Sequence, residues 1–154
     1  SADPIGHLVL YVFGYNQVKD KKCFEYSDKV CTALQLTNFW QDVSVDLKIG
    51  RIYIPGNTMK EFNYNEKMLF DKTENNDFRK VMNNLSERTK SLFDEGSKIT
   101  ELVRGRLKYE LKATIAGGME ILRKIEKINY NVLSQRVTIS KTDKIKILGK
   151  IFSK

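Results

Sequence analysis

An all-α fold follows from three stretches of the sequence in which apolar and polar residues recur at helical spacing. Between Cys31 and Leu47 the polar residues Gln35, Asn38, Asp42 and Asp46 form one stripe, and Leu34, Leu36, Phe39, Trp40, Val43 and Leu47 cover most of the remaining surface. From Asp77 to Val103 the apolar positions Phe78, Val81, Met82, Leu85, Leu92, Phe93, Ile99, Leu102 and Val103 repeat every three or four residues for much of the stretch. From about Leu107 to Ile128, Leu111, Thr114, Ile115, Gly118, Leu122 and Ile125 share one face. The expectation is a helical bundle.

At 154 residues, 41% hydrophobic and 30% charged, the chain is long enough to build one core, and residues 1–154 read as a single soluble unit. The first helix is expected from Asp3, as cap, and Pro4 to a stop at Gly14, with Ile5, Leu8, Val9, Val12 and Phe13 packed in the core. A polar connection over Asn16 to Lys22 leads to Ser27, the expected cap of the striped helix, which runs to about Leu47. Arg51 to Pro55 reads as an extended turn. Met59 to Phe70 reads as one or two short helices anchored by Phe62, Met68, Leu69 and Phe70, with a polar break over Asp71 to Asn76. Gly117 and Gly118 cost about 1 kcal/mol each inside a helix, which points to close approach of a neighbouring helix or a ligand chain. Asn129-Tyr130-Asn131 breaks the pattern. Thr142 or Asp143 then caps a last helix carrying Ile145, Leu148, Ile151 and Phe152 beside Lys144, Lys146, Lys150 and Lys154.

Composition narrows the function classes. The formal charge of +8, from 27 Lys and Arg against 19 Asp and Glu, permits attraction to an anion, but the basic residues are scattered and do not alternate with aromatic ones. Nucleic acid is therefore disfavoured. The apolar run from Leu8 to Phe13 is too short to span a bilayer. Cys23 and Cys31 are eight apart without a Cys-x-x-Cys pair, so zinc and redox readings have little support. His7, the only histidine, has no Ser or Cys motif with which to make a nucleophile-base pair.

The stripe is where local physics and sequence disagree. Like charges one turn apart cost roughly 0.2 to 0.5 kcal/mol, and carboxylates near a helix C-terminus, here marked by Gly50, oppose its dipole by about 0.3 to 1 kcal/mol each. Something cationic must offset that. Two carboxylates and an amide oxygen suit a hard ion such as Mg2+, whose remaining positions substrate phosphates can fill. Lys48, Arg51 and Tyr53 follow at once and could donate to those phosphates. A bare Asp-x-x-x-Asp is usually only surface charge, but the apolar flanks argue against that here.

Asn-x-x-Gln-Asp-x-x-x-Asp, Asn38 to Asp46, followed by Gly-Arg-Ile-Tyr-Ile-Pro resembles the second aspartate-rich motif of the squalene and phytoene synthase family, the head-to-head prenyl transferases. The opening Ser-Ala-Asp-Pro-Ile-Gly-His-Leu-Val-Leu-Tyr-Val-Phe-Gly and the later Ala-Gly-Gly-Met-Glu-Ile-Leu-Arg-Lys-Ile are similar as well, most of all to the bacterial hydroxysqualene-forming branch of hopanoid biosynthesis.

The resemblance implies the C-terminal part of an all-helical isoprenoid (prenyl) synthase fold and Mg2+-dependent ionisation of an allylic diphosphate. Asp42 and Asp46 would be catalytic and, with Asn38, hold the metal. Arg51, Lys48, Tyr53, Gln41 and Gln35 would bind the diphosphate of presqualene or farnesyl diphosphate. Gln41 stands where many relatives have Arg, which favours the conversion of presqualene diphosphate to hydroxysqualene. The family's first aspartate-rich motif has no counterpart here, so the expected partner is a complementary N-terminal half, whether the chain is a cut piece, a split gene or a truncated copy. Expected surroundings are cytoplasmic; the basic last helix reads first as a packed helix with solvated lysines, the alternative being peripheral contact with an anionic inner membrane. The alternatives are a relative with another product, a catalytically inactive helical fragment, and an anion-binding module acting through net charge.

Overall fold

The computed structural model describes residues 2–152, and all regular structure among them is helical. The elements are α1 (Asp3–Val12), α2 (Lys21–Gln41), α3 (Val43–Asp46), a 3-10 turn (Leu47–Ile49), α4 (Gly56–Glu61), α5 (Glu66–Phe70), α6 (Asn76–Gly96), α7 (Ile99–Leu102), α8 (Gly105–Lys127) and α9 (Lys141–Phe152). Helix α2 is the axis of the bundle: α6, α1, α8 and α7 all pack on it, and α9 packs on α8.

Helix α2 begins six residues before the expected cap. Asn16 accepts the Val18 amide at 2.9 Å and Asp20 accepts the Asn16 amide at 2.8 Å, so the connection satisfies its own polar groups and the helix can start at Lys21. Ser27 is therefore an interior residue, buried beneath α1. The far end also differs from expectation: α2 stops at Gln41, Asp42 takes a non-helical conformation (φ −102°, ψ 10°), and α3 resumes for one turn.

Small residues let α6 and α8 close in. A Cβ on Gly96 would lie 3.0 Å from the Val30 backbone nitrogen and 3.1 Å from the Tyr26 carbonyl oxygen, so only glycine admits α2 at this distance. Further along, the buried Trp40 indole donates to Thr89 Oγ1 at 2.9 Å, and that hydroxyl donates to the Leu85 carbonyl at 2.8 Å. The Trp40 indole and the Thr89 hydroxyl thus both find partners within the α2–α6 contact. The two adjacent glycines of α8 differ. Gly118 faces the Phe93 ring, 2.3 Å from where a Cβ would stand, whereas Gly117 has nothing within 4 Å.

The apolar stripe of α1 does not enter the core. Gly6 and Leu10 face α2, with the Gly6 backbone close against Ser27 and Cys31, and His7 Nε2 pairs with Asp28 Oδ1 at 2.6 Å. That side, where Leu10 is flanked by the small Gly6 and the polar His7, is the one that fits α2. Ile5, Leu8 and Val12 consequently stand 67%, 63% and 75% exposed, with Val9 and Phe13 beside them. Asp3 is the first helical residue and not the cap, which is Ala2. Gly14 does end the region, at φ +84°.

In the short helices Leu69 and Met59 are buried, Phe62 and Met68 pack partly, and Phe70 is exposed because Tyr64, bonded to the Thr73 carbonyl at 3.0 Å, fills the interior instead. Helix α9 is capped by Ser140, whose hydroxyl accepts the Asp143 amide while Asp143 accepts the Ser140 amide at 2.8 Å. Its Ile145 and Leu148 are exposed. Lys154 and the side chains of Lys150 and Phe152 lie outside the described residues.

The two glycines give a paired test. Gly118→Ala drives a methyl into the buried Phe93 ring and should destabilise by about 1–3 kcal/mol. Gly117→Ala meets no neighbour and should be neutral or stabilising by up to about 1 kcal/mol. Urea denaturation of both variants against the parent reads the difference, and equal effects would show that the packing of Phe93 on Gly118 is not tight.

Candidate active site

The break at Asp42 leaves the stripe continuous. The Asp42 amide donates to the Asn38 carbonyl at 2.9 Å, and the Asp46 amide to the Asp42 carbonyl at 2.9 Å, so Asn38, Asp42 and Asp46 remain one turn apart across the junction of α2 and α3. Asn38 is exposed, and Gln35, Asp42 and Asp46 are half-buried. Gly50, at φ +71°, reverses the chain after the 3-10 turn, and the Arg51 amide closes on the Asp46 carbonyl at 2.9 Å. This turn is why Arg51 and Asp46 border the same cleft, together with Phe39 and Tyr53.

The Tyr53 ring stacks on Phe39 with centroids 3.9 Å apart and planes 4° from parallel, which fixes the extended segment over Arg51 to Pro55 against α2. Lys48 and Arg51 are exposed and have no ion pair among the described residues. Both remain available to an anion near Asp46.

Gln41 is the exception among the expected diphosphate ligands. It is buried, and its amide nitrogen donates to the Val137 carbonyl at 2.6 Å, because its position on α2 points away from the stripe toward the 129–140 connection. A residue so engaged ties the motif helix to that connection. The charge argument built on Gln41 beside the diphosphate therefore loses its footing.

The cation that sequence reasoning missed comes from the same connection. Arg136 donates from Nε to Asp42 Oδ1 at 2.5 Å and from Nη2 to Asp42 Oδ2 at 3.3 Å, a two-pronged pair across 94 residues of chain. Hydrogen bonding to Asp42 raises the guanidinium pKa further. Arg136 lies outside any periodic segment, so nothing in the sequence marks it. The unbalanced carboxylates of the stripe were the only hint that a cation was required.

The mount of Arg136 is firm. Asn129 and Tyr130 adopt left-handed conformations (φ +54° and +62°) that turn the chain out of α8. Val132, Leu133 and Val137 are buried, and Lys124 of α8 donates to the Thr138 carbonyl at 2.8 Å and pairs with Asp143 at the start of α9.

The residues fit a hard divalent cation in kind. Asn38, Asp42 and Asp46 offer oxygen donors only, and among the described residues the side chains of Asn38 and Asp46 make no hydrogen bond or ion pair. The fit is partial in number: no group of three or more His, Cys, Asp or Glu side chains is gathered among the described residues. On the same side of α2, toward its N-terminus, a cavity of about 280 Å³ is walled by Cys31 and Leu34, by Val9 of α1 and by Leu107 and Leu111 of α8. No helix among the described residues is long and apolar enough to cross a membrane.

The family model for squalene/phytoene synthase matches residues 1–143. The crystal structure of squalene synthase HpnC from Alicyclobacillus acidocaldarius superposes with a TM-score of 0.81 at 37% identity, over 85% of this chain and 49% of that one. YisP from Bacillus subtilis shares the fold with a TM-score of 0.84 at 21% identity, over 97% of this chain and 59% of that one. The 15-cis-phytoene synthase of Synechococcus elongatus is 31% identical over 107 residues, 70% of this chain and 35% of the relative. The chain thus spans about a third of the length of this curated relative and about half of the HpnC chain.

The clasp that holds the Arg136 connection is sensitive to acid. The Lys124 ammonium, followed by the Ser140 hydroxyl and amide, holds the Asp143 carboxyl well below the usual carboxylate range. A depressed carboxyl contributes stability that is present above its unfolded value, about 3.9, and is lost as pH falls through the lower folded value. Thermal melts between pH 7 and pH 2 should therefore lose this increment below about pH 4, and Asp143→Asn should be less stable at pH 7 with a shallower acid loss. An unchanged acid profile in that variant would remove Asp143 from the clasp.

Proposed function

Because this chain belongs to the squalene/phytoene synthase family, we propose that it supplies the second aspartate-rich half of a Mg2+-dependent site that ionises an isoprenoid diphosphate. The observation that carries the reading is the continuous stripe of Asn38, Asp42 and Asp46, beside Lys48 and Arg51, which make no ion pair among the described residues. Asn38, Asp42 and Asp46 would hold the ion, which when bound supplies charge stabilisation to the departing diphosphate. Arg51 and Lys48 orient the same group, Gln35 borders the stripe, and Tyr53 forms the wall of the cleft. The 280 Å³ cavity along α2 is apolar on most sides and takes the prenyl chain, keeping water from the reacting carbon.

The finer reading is conversion of presqualene diphosphate to hydroxysqualene with loss of diphosphate. It rests on the 37% identity to squalene synthase HpnC and on the sequence likeness at both ends of the chain. The 31% identity to a phytoene synthase supports a second reading, a synthase acting on longer prenyl diphosphates.

Two further contacts belong to the proposal. The exposed Ile5, Leu8, Val12 and Phe13 of α1 form a face suited to the part of the family domain that this chain does not span, which would also bring the opposing carboxylates. The exposed Ile145 and Leu148 of α9, beside Lys141, Lys144 and Lys146, suit peripheral contact with an anionic membrane.

Calorimetric titration of a non-ionising farnesyl or presqualene diphosphate analogue tests the site. Binding should require Mg2+ and fall at least about tenfold in Asp42→Asn, the loss of one charge-assisted contact being worth about 1.5–3 kcal/mol. Binding that ignores Mg2+ and Asp42 but collapses with salt would assign the chain to anion binding through net charge.

A further inference from the structure

We infer that Arg136 is a resident counter-ion of Asp42 which a divalent cation must displace, so that Arg136 sets the metal affinity of the motif as a positioning residue. The inference rests on the metal-site reading above. Its own basis is the two-pronged contact: Nε and Nη2 of Arg136 engage both oxygens of Asp42, whereas the oxygens of Asn38 and Asp46 have no such partner among the described residues. A guanidinium and a divalent ion sharing one carboxylate would set like charges within a few ångströms of each other, so the two compete.

The backbone around Arg136 makes the exchange a matter of one side chain. Gln41 holds the Val137 carbonyl and Lys124 holds the Thr138 carbonyl, so the connection stays fixed on α2 and α8 whether or not Arg136 reaches Asp42. Arg136 is 46% exposed and Asp42 29%, so the guanidinium can leave toward solvent without opening the core. Displaced, it stays tethered at the rim, and the positive charge lost from Asp42 is replaced by the metal.

The test is a Mn2+ titration of the 154-residue chain read by loss of the free-ion EPR signal, comparing the parent with Arg136→Gln, Arg136→Lys and Asp42→Asn. An exposed ion pair worth up to about 1 kcal/mol corresponds to a change of up to about fivefold, so Arg136→Gln should bind Mn2+ about threefold more tightly. Arg136→Lys, which keeps the charge without the fork, should fall between it and the parent, and Asp42→Asn should lose the binding. Damage to the fold would weaken binding, so the expected direction cannot arise from a merely structural role. Unchanged or weaker Mn2+ binding in Arg136→Gln, with binding intact in the parent, overturns the counter-ion inference alone. No Mn2+ binding by any of the four overturns the metal-site reading with it.

Discussion

The close packing of α6 on α2 is the constraint on which the remaining structure depends. It is set where Gly96 passes the backbone of Tyr26 and Val30 and where the Trp40 indole meets Thr89. With α6 held there, Phe93 projects onto α8 and only a glycine at 118 can receive it, so α8 is drawn to the same axis. The chain leaving α8 then returns past the end of α2, which puts Arg136 beside Asp42 although 94 residues separate them. The electrostatics of the motif are in this way a product of helix packing far from it.

Much of the bundle was legible in the sequence because burial writes a period into a helix. The spacing over Asp77 to Val103 yields α6 and α7, and the face from Leu111 to Ile125 yields α8. The same logic failed for α1, and the physical reason is instructive. Periodicity reports that a helix has an apolar side, not which side its neighbours in hand will accept. Here α2 takes the side of α1 that carries Gly6, His7 and Leu10, and leaves Ile5, Leu8 and Val12 outward.

The candidate site was legible in its carboxylates and not in its partners. Asn38, Asp42 and Asp46 are close in sequence, so a helical wheel finds them, even though α2 breaks at Asp42. Gln41 and Arg136 owe their roles to a contact between α2 and an irregular connection, for which no local pattern exists. The cap of α9 is Ser140, two residues before Thr142, the nearer of the two expected positions, for a similar reason. Ser140 and Asp143 satisfy each other reciprocally, while Asp143 is also drawn to Lys124 on another helix.

Trp40, the chain's single tryptophan, stands two residues before Asp42, buried to 2% exposure with its N–H bound to a hydroxyl of α6. Evolution has thereby left an intrinsic fluorophore at the joint between the motif helix and its support. Its emission is shielded from water as long as that joint is closed, and the light it gives is a label-free readout of whether the carboxylates are still mounted on an intact bundle.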